Sequence, residues 1–308
     1  VDDLSEFDDW RDEWELVLRS TVSAGTRTVY LRSVNQFVAW LRESSPEAEV
    51  SGLIRRHIDG WAAYLADDLK LAGATRRVRL LAVRFWLDYI VGQPDSGLDS
   101  NPASKVRLPV AEEKPVPIIS DEDLTALLRT CDTSFVGLRD EAILRLFLDT
   151  GSRRAEIAGT DVDDLDLRAQ EVTVTGKGNK TRVSSFGSKT AIALRKYMRA
   201  RARRPGVDSK ALFLSARPHA SGEVRLTGGG IGEMFTRRCV LAGLSHMWPH
   251  MMRHTWAHDM LDNGANEGVV EKLGGWAPGS KMVKRYGSSM AEARARKAAR
   301  MMARGDRV

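Results

Sequence analysis

Residues 171–185 read EVTVTGKGNKTRVSS, and this stretch decides what kind of fold the chain can adopt. Val172 and Val174 alternate with Thr173 and Thr175, and a second polar and β-branched run covers Thr181-Arg182-Val183-Ser184-Ser185. Between the runs lies Gly176-Lys177-Gly178-Asn179-Lys180, rich in the residues that tolerate a tight turn. The period of two on either side of such a turn predicts a β-hairpin. Outward from it the apolar spacing changes to that of helices. Helices are expected at about 121–131, 136–150 and 153–159 before the hairpin, and at about 189–203, 228–242, 250–263, 267–273 and 279–286 after it. An alanine- and arginine-rich helix is expected from Met290 to Ala303. The fold class that follows is mainly α with a small β-sheet, an α+β arrangement.

The first third carries no strand signal. Leu4, Phe7, Trp10, Trp14 and Leu18 follow helical spacing. After Ser23-Ala24-Gly25 a second helix, capped by Thr26 or Thr28, places Tyr30, Leu31, Val34, Phe37, Val38 and Leu41 on one face. A third spans about 53–69, and a fourth about 75–91, with Leu80, Val83, Phe85, Trp86 and Ile90 inward and arginines outward. Four such helices make a small bundle. Pro102, Pro109, Pro115 and Pro117 then interrupt a polar stretch, which predicts extended chain. The expected organisation is a helical domain over 1–100, a linker over 101–118, and a mixed domain over 119–308 whose first helix is capped by Ser120.

Composition narrows the class of protein. With 308 residues and 43% hydrophobic content, each half can bury a core. Cys131 and Cys239 stand far apart in no ligand spacing, which argues against a disulfide framework and for a reducing, cytoplasmic setting. No apolar run approaches the roughly 20 residues of a membrane helix, and the acidic start is unlike a secretory signal. The net charge of +6 and pI near 9.4 favour nucleic acid only weakly. The distribution says more, because Arg76, Arg77, Arg79 and Arg84 crowd one short stretch, in a placement that suits phosphate contacts.

Four patterns in the second half carry chemistry. Thr150-Gly151-Ser152-Arg153-Arg154-Ala155-Glu156-Ile157 joins two helices, and the hairpin turn presents Lys177, Lys180 and Arg182. Pro249-His250-Met251-Met252-Arg253-His254-Thr255 opens a helix, and Leu273-Gly274-Gly275-Trp276 precedes Lys284-Arg285-Tyr286. Two guanidinium forks can clamp the non-bridging oxygens of one phosphate and stabilise the charge that grows in a phosphorane. A tyrosine hydroxyl, a poor nucleophile at its free pKa of about 10, is activated by nearby cations. A lysine can protonate a departing oxygen. Two arginines, a lysine, a histidine and a tyrosine therefore suffice for phosphoryl transfer.

In this order and with these neighbours, the patterns resemble the tyrosine recombinases, the phage integrase family that also includes Xer-type and Cre-like enzymes. The likeness covers nearly the whole chain: the helical first third resembles the core-binding domain, and the rest the catalytic domain. It implies a site-specific recombinase that cleaves and rejoins DNA through a 3′-phosphotyrosyl link and a Holliday junction. Arg153 and Arg253 match the clamping arginines, Lys177 the general acid, His250 the proton-shuttling histidine and Tyr286 the nucleophile. Glu156 matches a supporting acidic residue, and His254 braces the site. Ser152 stands where the family usually has an apolar residue. The family's histidine or tryptophan lies nine residues before the nucleophile, whereas Trp276 lies ten before Tyr286 and Gly275 lies at nine. Trp276 is assigned this place, with one extra residue in Ala277-Pro278-Gly279, and would donate a hydrogen bond to the phosphate. Arg76, Arg77, Arg79, Arg84, Lys180 and Arg182 are the expected DNA contacts. The likeness further implies no cofactor, because the phosphotyrosyl link stores the energy for rejoining. It implies a homotetramer on double-stranded DNA sites, with the last helix docked on a neighbour, and accessory DNA-bending or directionality proteins as further partners. Because the core-binding pattern begins behind an acidic segment, a simple phage or mobile-element enzyme without arm-site binding is expected.

Other readings compete locally. His250, His254 and His258, four apart, could line a metal site, but neither an HExxH pattern nor a cysteine pair accompanies them. Gly228-Gly229-Gly230 lacks the GK[ST] of a phosphate loop and reads as a flexible loop. Tyr30, Tyr64, Tyr89 and Tyr197 fall in apolar helical patterns and read as core. A DNA-binding regulator without catalysis and a type IB topoisomerase-like enzyme are the rival functions.

Overall fold

The computed structural model describes residues 5–110, 117–176, 178–283, 295–296, 299–300, 302 and 305–307. The chain divides into two compact units, Val1–Lys114 and Pro115–Val308.

Among its described residues the first unit contains four helices: α1 (Ser5–Thr21), α2 (Ala24–Ser44), α3 (Arg55–Asp67) and α4 (Gly73–Val91). Its core is aromatic. Phe7, Phe37, Trp61 and Trp86 are all buried, and Phe37 meets Trp61 edge-on at 5.7 Å. Such pairs favour one packing geometry over a merely greasy collapse. Three details differ from the sequence expectation. Ser23, not Thr26 or Thr28, caps α2, because the extended backbone of Ser23 lets its hydroxyl accept from the Thr26 N–H at 3.3 Å. Phe85, expected inward, is 43% exposed and leans on Tyr30 at the rim. The stretch expected to be linker is folded at its start: Asn101, Ala103 and Val106 are buried, and Asn101 Nδ2 donates to Arg84 O and Asp88 Oδ1. Prolines exclude a regular element there, yet apolar residues between them still pay for burial.

The second unit is built around α6 (Phe135–Thr150), which follows α5 (Asp121–Arg129) and packs against α8 (Ser188–Arg201) and α10 (Pro249–Asp262). Ser120 caps α5 and Ser134 caps α6. The short α7 (Arg154–Gly159) leads to a three-stranded antiparallel sheet, β1 (Leu165–Asp166), β2 (Glu171–Thr175) and β3 (Thr181–Ser185). The hairpin register pairs Thr173 with Val183 and Thr175 with Thr181, and only the two-residue β1 escapes the sequence pattern. Val172 and Val174 are buried in the core that also holds Phe147 and Leu194. Beyond α8 come α9 (Gly228–Ala242), α10 and α11 (Glu267–Gly274). Gly228-Gly229-Gly230 is the first turn of α9 and not a loop, with Thr227 Oγ1 accepting from Gly230 N at 3.1 Å. A cap and the apolar face that follows outweigh the helix penalty of glycine.

Helix α10 is buried nearly all round, from Met251 to Ala257, as a central helix must be. Pro249 occupies its first turn, where a missing N–H leaves nothing unsatisfied. Among the described residues no helix is long and apolar enough to cross a membrane.

Candidate active site

The site is assembled where α6 ends. Gly151 takes the left-handed conformation, φ 55°, that stops α6, and a Cβ there would lie 2.2 Å from the Trp256 ring. Glycine is required twice over, by backbone and by packing. Arg153 follows as the N-cap of α7, its own N–H donating to Glu156 Oε2 at 2.8 Å. The Arg153 side chain donates to Glu156 Oε1 at 2.7 Å and remains 36% exposed. Glu156 is buried. Burial would raise its pKa, but hydrogen bonds from Arg182 and Arg153 and the Arg182 charge prevail, holding it at about 2. A permanent carboxylate thus fixes Arg153 from beneath. Ser152 is fully buried, and its hydroxyl accepts from Thr150 Oγ1 at 2.9 Å, which satisfies a polar group in an apolar position.

The second arginine comes from α10. Arg253 is 1% exposed, and it donates from Nη1 to Gly151 O at 2.7 Å and from Nη2 to Gly274 O at 2.6 Å. Its guanidinium carbon lies 3.7 Å from the centroid of Trp276. His250, one turn earlier, is exposed. Its pKa lies below 6.5 because partial burial, then Arg253, then Arg153, oppose its positive form. Both arginines therefore act on one imidazole, which stays neutral at neutral pH. His254 is buried behind it, edge-on at 4.7 Å.

Trp276 stacks on Trp256 at 6.2 Å and 23°, and Trp256 Nε1 donates to Asp149 O at 3.1 Å. The left-handed Gly275, φ 65°, caps α11 and turns the chain so that Trp276 folds back over Gly274. A Cβ at Gly274 would lie 2.0 Å from that ring. Arg153, Gly176, Lys180, Arg182 and Trp276 line one cleft of about 650 Å³. Lys180 is exposed there, whereas Arg182 is turned inward with its side chain 12% exposed. The turn bends at Gly178 and Asn179, whose φ values are 77° and 57°. Gly176 abuts Glu156, where a Cβ would lie 3.0 Å from Oε1. Lys177 and Tyr286 lie outside the described residues.

The four arginines expected to contact DNA lie on α4. Arg84 donates to Ala103 O at 3.0 Å and Val106 O at 2.6 Å, so it braces its own unit. Arg77 is exposed, while Arg76 and Arg79 are half-buried, and Arg76 Nε and Arg79 Nη1 have no hydrogen-bond partner among the described residues. Burial and the nearby Arg32 both oppose charge on Arg79. The sequence reading missed Trp256 and the carbonyls of Gly151 and Gly274. A tryptophan three residues after Arg253, and glycines at both helix ends, were the signals.

Arg253 bonds to Gly151 O, two residues before Arg153, and Arg153, Lys180 and Arg182 line the cleft beside them, a set of cations suited to an anionic phosphodiester. The phage integrase family model matches residues 117–292. Tyrosine recombinase XerD of Listeria monocytogenes serotype 4b (strain F2365) is 28% identical over 267 residues, covering 85% of this chain and 87% of XerD. The Tn1549 transposon integrase (residues 82–397) in complex with transposon right end DNA superposes with a TM-score of 0.71 at 16% identity, covering 97% of this chain and 99% of that fragment. A lambda integrase tetramer bound to a Holliday junction superposes with a TM-score of 0.67 at 15% identity, covering 91% of this chain and 76% of that one. The chain belongs to the phage integrase family, the tyrosine recombinases. It is an enzyme of site-specific DNA recombination.

Proposed function

We propose that Tyr286 attacks a scissile DNA phosphate held by Arg153 and Arg253. The observation that carries this reading is that Arg253 Nη1 donates to Gly151 O at 2.7 Å, two residues before Arg153, which brings together two arginines 100 residues apart in sequence. As the Tyr286 oxygen bonds to phosphorus, its proton passes to the neutral His250 imidazole, and the bond from phosphorus to the 5′ oxygen breaks. Lys177 protonates that oxygen. The products are a 3′-phosphotyrosyl link and a free 5′ hydroxyl, and a hydroxyl from another strand reverses the step. Trp276 supports Arg253 and closes the cleft. Elimination also supports Tyr286: the other tyrosine of this unit, Tyr197, donates to Leu212 O, accepts from Leu214 N, and is raised by burial to about 12.

Two exchanges through a Holliday junction require four nucleophiles, so the working form is a homotetramer on two duplex sites. Arg76, Arg77 and Arg79 would bind phosphates from the first unit, and Lys180 from the second. We place the enzyme in the cytoplasm with the nucleoid, serving a phage or other mobile element.

Covalent trapping tests the reading. Nicked suicide duplexes tiled from DNA flanking the gene should give a denaturation-resistant adduct with the native protein and none with Tyr286→Phe. An adduct that survives the change means another nucleophile. Binding without any adduct means a regulator.

A further inference from the structure

Arg182 lies on β3, in a stretch whose basic character suggests DNA contact, yet its guanidinium is occupied within the protein. Nη2 donates to Glu156 Oε2 at 2.7 Å and lies 3.5 Å from Ser152 Oγ, and Nε donates to Leu273 O at 2.7 Å. Gly275 leaves room for it: a Cβ there would lie 3.1 Å from Nη1. The next carbonyl after Leu273, Gly274 O, is the one that receives Arg253 Nη2. The residue before Ser152, Gly151, receives Arg253 Nη1. Arg182 and Arg253 thus grip adjacent residues on the same two turns. Through Glu156, Arg182 also reaches the side chain of Arg153.

We propose that Arg182 is a positioning residue for strand cleavage: it ties the carboxylate beneath Arg153 to the turn that holds Arg253, and so sets the spacing of the two clamping guanidiniums. The inference rests on the phosphodiester-clamp reading above. Nε and Nη2 of Arg182 both face protein oxygens, and those oxygens belong to Glu156 and to the turn beside Gly274 that also receives Arg253, so one side chain reaches the supports of both clamps. Displacing a reacting group by about 1 Å can slow chemistry on the order of 100-fold, so a strut between the clamps governs rate more than affinity.

The test measures single-turnover adduct formation and duplex affinity separately, on the same tiled nicked duplexes. In Arg182→Met, cleavage should fall at least tenfold while the dissociation constant stays within twofold. Arg182→Lys, which keeps a charge for Glu156 but cannot grip both oxygens, should recover part of the rate. The double change of Arg182→Met with Glu156→Gln should be no slower than the worse single change, since both break one strut. Thermal unfolding identifies folded variants. If Arg182→Met fails to fold, a folded Arg182→Lys with native cleavage overturns the proposal. Parallel loss of affinity and rate would make Arg182 a DNA contact, and native rates in Arg182→Met would make it dispensable. Absence of an adduct with the native protein would count against the clamp reading itself.

Discussion

The guanidinium carbon of Arg253 sits 3.7 Å from the centroid of the Trp276 ring, so this buried arginine rests on an aromatic face. A buried cation on such a face gains roughly 1–2 kcal/mol. Trp276→Ala should therefore lower the unfolding free energy by at least about 1 kcal/mol and slow adduct formation more than tenfold. Trp276→Phe keeps a ring face and should recover most of the stability. Urea unfolding beside adduct kinetics reads both, and equal stability for the two variants would dismiss the ring-face account.

His250 should make cleavage pH-dependent only on the acid side of its ordinary value. Its pKa lies below 6.5, and the neutral ring is the form that accepts a proton. The acid limb of the rate should have its midpoint below 6.5, and His250→Asn should abolish this limb. A native limb with its midpoint above 6.5 would show that the local arginines do not control the imidazole.

Glu156 links the site to acid stability. Its folded pKa of about 2 lies below the ordinary 4.5, so its contribution is complete above about pH 4.5 and vanishes as pH falls towards 2. The difference corresponds to about 3 kcal/mol as an order of magnitude. The native protein should lose about that much more stability between pH 5 and 2 than Glu156→Gln does. Coincident pH–stability curves for the two proteins would contradict this.

Asp140 organises a second cluster, away from the chemistry. It is fully buried, with Arg139 on Oδ1 at 2.8 Å and Arg238 on Oδ2 at 2.8 Å, while Arg237 adds a third cation. Asp140→Ala would leave buried guanidiniums uncompensated and should cost roughly 3–5 kcal/mol in urea unfolding. A loss below about 1 kcal/mol would mean that the arginines relax to water.

Much of the fold was legible along the chain because its signals are local. The hairpin follows from β-branched alternation around Gly178 and Asn179, and α5 from Ser120 and its acidic first turn. Arg153 and Glu156 were legible as a pair because they are three residues apart at a helix start. The Asp140 cluster was not, since Arg238 lies 98 residues away in sequence and meets Asp140 only when α9 packs over it. The outward face assigned to α4 failed in part for the same reason, with Arg84 turned onto the chain that returns at Ala103 and Val106.

Sequence alone determined the class of chemistry and the order of its groups, because residue types, turn glycines and helix starts act over a few neighbours. Tertiary structure decided where the long side chains go. Arg182 was basic and near the hairpin turn, which suggested DNA, but its partner Leu273 is 91 residues away. Arg253 likewise rests on Gly151, 102 residues away. An arginine reaches whichever oxygens the packed elements bring to it, and that proximity exists only once α10 packs on α6 and α11 packs on α10 and β3.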